Sequence, residues 1–178
     1  MYRDRNNEGN LTRPLNMRSA QALVELVFVV LMLTALMFGV IDFGRAIYER
    51  QVIAALTREG SNLASRGTPL SNVVSTVIAS AAPLNINTKG RVIISEVVRQ
   101  NGQYRVNEQV SRGGISATSK IHNGTGSGAT MPTTTMTFPQ TGQTIFATEI
   151  YYSFTPITPI GKILKITLPS RLYDAAYF

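Results

Sequence analysis

Between Leu26 and Ile41 the chain runs sixteen residues without a charge, and Thr34 is the only polar side chain among them. Counted from Ala22, the stretch is twenty residues long and holds one charge, Glu25. A helix of that length spans about 30 Å, the hydrocarbon thickness of a bilayer. Lipid offers no partners to backbone amides and carbonyls, so a single crossing segment must be helical. The remainder of the 178 residues is far more polar. The chain therefore divides into one membrane segment and one soluble domain. A cleaved secretory signal fits less well. The apolar run is too long, no A-x-A site follows it, and helical character continues through "DFGRAIYERQVIAALTREGSNLASRG".

Residues 1–20 are polar, with four arginines against two acids, and Pro14 with neighbouring Asn and Gly argues against a helix. They read as a leader or cytoplasmic segment. Arg3, Arg5, Arg13 and Arg18 precede the span, and Arg45, Arg50 and Arg58 follow it, which tips the N-terminus inward by four to three. Past Ile41, residues Ala46, Ile53, Leu56, Gly60 and Leu63 recur at helical spacing. Arg66, Gly67 and Pro69 supply the stop. The pattern predicts one helix over 21–66, about 69 Å long, with its lower half, 22–41, in the membrane. Tyr48 is placed as an interfacial aromatic anchor.

The domain at 67–178 is predicted as α+β. A short helix is expected at "LSNVVSTVIASAAPL", capped by Ser71 and ended by Pro83. Asn101-Gly102 marks a hairpin. A third strand is expected at "TIFATEIYYSFTPI" and a fourth, interrupted by Pro169, near the end. Residues 111–144, rich in Gly, Thr and Ser, are expected to form a flexible surface loop. A small antiparallel sheet on the upper half of the long helix satisfies this order.

Little points to catalysis. There is no cysteine, and His122 is the only histidine, so neither a thiolate nor a paired-imidazole metal site is expected. "NGTGSGAT" lacks the Lys-Ser/Thr of a phosphate loop and joins no strand to a helix. Asn123-Gly-Thr matches a glycosylation sequon, a frequent chance match. Glu149 and Asp174 are carboxylates that nothing in the sequence pairs. The net charge of +7 is spread singly from Arg3 to Arg171, which argues against nucleic acid. No cofactor is expected. Glu25 differs, because a carboxylate in an apolar span costs a few kcal/mol unless it snorkels or meets a cation. Asp42, Arg45 and Glu49 stand at i, i+3 and i+7, so Arg45 is placed to pair with either acid where the helix leaves the membrane.

The stretch 18–66 resembles the N-terminal signature of the TadE-like pseudopilins of tight-adherence (Tad, or Flp) pili, which are similar to type IV pilins. The entry is Ala22 to Glu25, the apolar run Leu26 to Ile41, the exit Asp42 to Arg45 and the continuation Thr57 to Asn62. The resemblance covers about a quarter of the chain. It implies a pilin-like, single-pass protein of a bacterial inner membrane, with a cytoplasmic N-terminus and a periplasmic C-terminal domain. It further implies leader cleavage by a prepilin peptidase between Ala20 and Gln21, although that peptidase class favours Gly where this chain has Ala20. Met17 is an alternative start, with a four-residue leader. After cleavage Glu25 is the fifth residue, one turn from the new α-ammonium, and the resemblance assigns it to subunit docking.

Two roles remain open. One is a minor pilin-like subunit whose partners are the bilayer, other pilin-like subunits and the inner-membrane assembly platform. The other is a membrane-anchored adhesin or tip module that binds through loop 111–144.

Overall fold

The computed structural model describes residues 17–131, 141–163 and 169–178. The expectations for residues 1–16, for 132–140 of the loop and for 164–168 before the last strand lie outside the described residues.

Helix α1 (Met17–Ser65) is continuous for 49 residues, about 74 Å. It begins four residues before the expected start. It ends beside Gly67, whose φ of +84° and amide bond to Ala64 O (3.0 Å) turn the chain back. Its lower part stands clear of the domain. The most apolar eighteen-residue window has a mean hydropathy of 2.6 and none of it is buried. From Ala46 upward one face is covered by protein, with Ala46, Ile53, Leu56, Gly60 and Ala64 buried and Leu63 half-buried.

Helix α2 (Leu70–Ala79) packs beside α1, and a single turn, α3 (Ile86–Lys89), leads into the sheet. The strands are β1 (Gly90–Gln100), β2 (Gln103–Gly113), β3 (Gly126–Ser127), β4 (Thr144–Ser153) and β5 (Arg171–Tyr177). A short helix, α4 (Pro159–Ile163), lies between β4 and β5. The sheet is antiparallel throughout, in the order β3-β2-β1-β4-β5. Asn101 and Gly102 both have positive φ, +50° and +78°, as the tight β1–β2 turn requires. The described part of the last strand starts beyond Pro169.

Ser71 does not cap α2. Pro69 takes that position without a side-chain cap, and the helix begins at Leu70. Starting there puts Leu70, Val73, Val74 and Val77 on one buried stripe. Burying one more leucine contributes roughly 2 kcal/mol, more than the ~1 kcal/mol of a hydroxyl cap.

The sheet has two covered faces. Val92, Ile94, Ile150, Tyr152 and Leu172 meet α1 and α2, while Val97, Val106, Ile145 and Ala147 meet Ile121, Ala129 and Met131. The latter three come from the stretch expected to be a flexible surface loop. Its edges are strand, since β2 runs to Gly113 and β4 starts at Thr144. Over its described part it is tied to the sheet through β3 and the bonds of Gly128 N and Ala129 N to Tyr104 O, both 3.0 Å. The apolar signal was sparse there, with Ile121 and Met131 standing alone among small residues.

One insertion decides which residues of β2 serve which face. Glu96 pairs with Glu108 but Val97 pairs with Val106, so Asn107 is an extra residue. Val106 and Val110 share the same parity, yet the bulge turns them to opposite faces.

At Gly60 α1 passes close to both the sheet and α2. A Cβ there stands 2.9 Å from Thr148 Oγ1 and 3.1 Å from Val77 Cγ2, whereas one at Gly39 meets nothing within 4 Å. Gly60→Leu should therefore destabilise the domain by on the order of 1–3 kcal/mol through overpacking, and Gly39→Leu should not. Thermal unfolding of both variants in detergent, followed by circular dichroism, checks this, and equal shifts would count against the packing described.

Candidate functional site at the membrane exit

Asp42 follows the apolar run directly, yet it is buried. The segment between β4 and β5 folds back over it. The amides of Ile157 (3.0 Å) and Thr158 (3.3 Å) donate to its Oδ1, and the Thr158 hydroxyl donates to Oδ2 (2.5 Å). Thr158 Oγ1 in turn accepts from Gly161 N (3.1 Å). The backbone approaches so closely that a Cβ on Gly161 would collide with Asp42 Oδ2. Burial raises the Asp42 carboxyl. The Thr158 hydroxyl, the two amides and the nearby Arg45 charge outweigh it and hold the pKa below the ordinary 3.8.

Arg45 and Glu49 pair as their spacing predicts, with Nη2 to Oε1 at 2.8 Å. Asp42 makes no such direct bond to Arg45; its oxygens are taken by the loop. Glu49 is almost wholly buried, and its Oε2 and Arg45 Nη1 have no hydrogen-bond partner among the described residues. Burial pushes the Glu49 carboxyl up, against the opposing pull of Arg45 and Lys89. The Arg45 guanidinium also lies over the Phe154 ring, 6.0 Å from its centroid. The helix exit is thus clamped to the domain by Asp42, which holds the segment before α4, while Arg45 and Glu49 line a cleft with Leu84, Asn85 and Lys89.

Helical pairing alone does not predict that both acids are buried, but their spacing carries that signal. Asp42, Glu49 and Leu56 are seven apart, on the same stripe as Ala46 and Ile53. Thr57 and Ser61 extend the pattern. Thr57 donates to Asp174 Oδ2 (2.7 Å) and Ser61 to Ala176 O (2.8 Å), so α1 reaches β5 through hydroxyls. Asp174, unpaired in the sequence, finds its donor here.

At the other end, Ala20, Gln21 and Glu25 lie in the exposed lower part of α1. Gln21 and Glu25 are one turn apart, and neither makes a hydrogen bond or ion pair to another described residue. Tyr48 is half-exposed above the exit.

A second polar cluster sits on the far face of the sheet. Glu149 is fully buried. The Ser119 hydroxyl donates to its Oε2, while the Lys120 amide (2.9 Å) and the Tyr173 hydroxyl (3.0 Å) donate to Oε1. Tyr151 donates to Thr118 O (2.9 Å) beside it. Burial, then the Glu149 charge and its hydrogen bonds, push Tyr151 and Tyr173 well above the ordinary 10. Burial and the Glu149 and Asp174 charges push Tyr177 up to about 12. His122 is a local brace. Its Nδ1 lies 3.1 Å from Gly124 O, and Gln109 bonds His122 O (2.9 Å) and Gly124 N (2.7 Å). Glu149 therefore fastens the 114–131 segment to the sheet. No group of three or more metal-ligating acids and histidines occurs among the described residues.

The arrangement defines a class: one helix long and apolar enough to cross a membrane, continuing without a break into the core of a small α+β domain. Residues 20–62 match the family model of TadE-like proteins. The match covers the entry, the apolar run, the Asp42 clamp and nearly all of the upper helix. Searches of curated proteins and of solved structures gave no match.

Asp42→Ala should lower stability by about 3 kcal/mol, because it leaves two amides and a buried hydroxyl without their charged acceptor. Asp42 has a depressed pKa when docked. Its contribution is therefore full above the unfolded value near 3.8 and is lost as pH falls through the lower folded value. Unfolding of wild type and variant from pH 6 to pH 2 should give a difference that shrinks only below about 4. A constant difference would refute the charge-based account.

Proposed function

We propose that the chain is a minor pilin-like (pseudopilin) structural subunit of a Tad/Flp-type pilus or related secretion apparatus, and that it supports assembly through its N-terminal helix. The observation that carries this reading is the division of α1. No residue of its most apolar stretch is buried by its own domain, while its upper half is clamped at Asp42 and has one face buried against the sheet. A helix held in this way transmits any displacement in the membrane to the whole ectodomain. That is the mechanical property a subunit needs if it is to be drawn into or against an assembly. The role is structural, not catalytic.

In this reading the protein sits in the inner membrane with its N-terminus cytoplasmic and residues 67–178 periplasmic. Prepilin peptidase cuts between Ala20 and Gln21. Glu25 then meets an α-ammonium, its own or that of a neighbouring pilin-like subunit, because a carboxylate in hydrocarbon is stabilised by an adjacent cation. The open lower helix leaves Glu25 exposed and unpaired by its own domain, as docking requires.

Glu25→Ala should abolish or strongly reduce piliation while leaving the protein in the membrane, as scored by filament counts in electron micrographs and by membrane fractionation. Wild-type piliation in the variant would rule out the docking role. Intact mass of the membrane-extracted protein should give a chain beginning at Gln21, and a start at Met1 or Met17 would remove the α-ammonium from the account.

A further inference from the structure

The clamp leaves one side of the helix exit open. Phe43, Ala46 and Ile47 continue the apolar surface of α1 about two turns beyond Ile41, and Phe43 and Ile47 remain 59% and 44% exposed. With Pro169, Leu172 and Tyr173 they line a cleft of about 400 Å³. Its remaining lining residues are Arg50 and Arg171, and no acid is among them. Neither arginine side chain makes a hydrogen bond or ion pair to another described residue; the ion pair at this level is Arg45–Glu49. Beyond Arg50 an adjoining cleft adds Lys120, with Asp174 already engaged by Thr57.

We propose that this cleft holds one anionic phospholipid, its acyl chain along Phe43 and Ile47 and its phosphate between Arg50 and Arg171. The order of features is that of a lipid: the cleft opens from the membrane-spanning segment, its apolar wall comes first, and its cations lie further from the hydrocarbon. Arg50 stands nine residues past Ile41, about 14 Å along the helix, and a helical side chain leans back toward the N-terminus, here toward the headgroups. Guanidinium groups bind phosphate oxygens bidentately, which suits two unpaired arginines facing one apolar wall. A second copy of the apolar helix would fill the wall but offer the arginines no phosphate. The bound lipid would set the height of the ectodomain above the bilayer, a function separate from docking through Glu25.

The test uses the full chain, purified in detergent and offered phosphatidylglycerol or phosphatidylcholine, with retained lipid counted by native mass spectrometry. One phosphatidylglycerol should be retained in preference to phosphatidylcholine. The double variant Arg50→Gln, Arg171→Gln should reduce that preference on the order of tenfold. The variant Arg58→Gln, Arg105→Gln, with the same charge change at exposed positions away from the cleft, should keep it. Equal retention of both lipids by wild type would overturn the proposal. So would an equal loss in the two variants, which would reduce the effect to overall charge. Free inorganic phosphate competing as well as the lipid would overturn the acyl part, and a dimer that persists without lipid and dissociates on Ile47→Arg would identify a second copy as the occupant instead.

Discussion

A single helix here meets two solvents, and the boundary between them is made by one carboxylate. Below Asp42 no described residue of α1 is buried and most are exposed, so its apolar side chains must be met by lipid or by other helices. Above it one face disappears under a sheet. Because Asp42 is buried, the change is abrupt. Three donors converge on it from the segment between β4 and β5, so the domain begins immediately past the last apolar residue. Without that carboxylate the segment would have buried amides to satisfy and no acceptor at the right height.

The other polar groups on the buried face of α1 follow the same logic. Glu49, Thr57 and Ser61 each face the domain, with Arg45, Asp174 and the Ala176 carbonyl as partners. An all-apolar upper face would have continued the membrane segment without a stop, leaving the depth of insertion poorly defined. Polar groups at roughly one per two turns make the upper half costly to bury in lipid, while each keeps at least one partner inside the protein. The far face uses a related device. Glu149 gathers a serine hydroxyl, a backbone amide and a tyrosine from separate segments, giving an otherwise Gly- and Ser-rich stretch a reason to stay on the sheet.

Much of this was legible beforehand. The span, the continuous helix, its end at Gly67 and the Asn101-Gly102 hairpin each rest on local signals of period or turn chemistry, and the family signature lies within the helix they define. The Arg45–Glu49 pair was legible because i, i+4 spacing puts the two on one face. The partners of Asp42, Asp174 and Glu149 were not, since each is supplied by residues more than twenty positions away. The 114–131 segment escaped for a similar reason: Ile115, Ile121 and Met131 are too far apart to show a period, and only the sheet reveals what the last two do.

By itself, then, the sequence determined that the chain carries one long helix with a segment long and apolar enough to cross a membrane, and an α+β domain beyond it. These properties depend on hydropathy summed along a segment and on backbone preferences of a few residues, both of which are local. Tertiary structure alone decided that the acids at the exit face inward, that a bulge at Asn107 divides β2 between two cores, and that Phe43, Ile47, Arg50 and Arg171 share one open cleft. Each of these depends on which distant backbone passes within hydrogen-bonding or van der Waals reach, and no window along the chain carries that information.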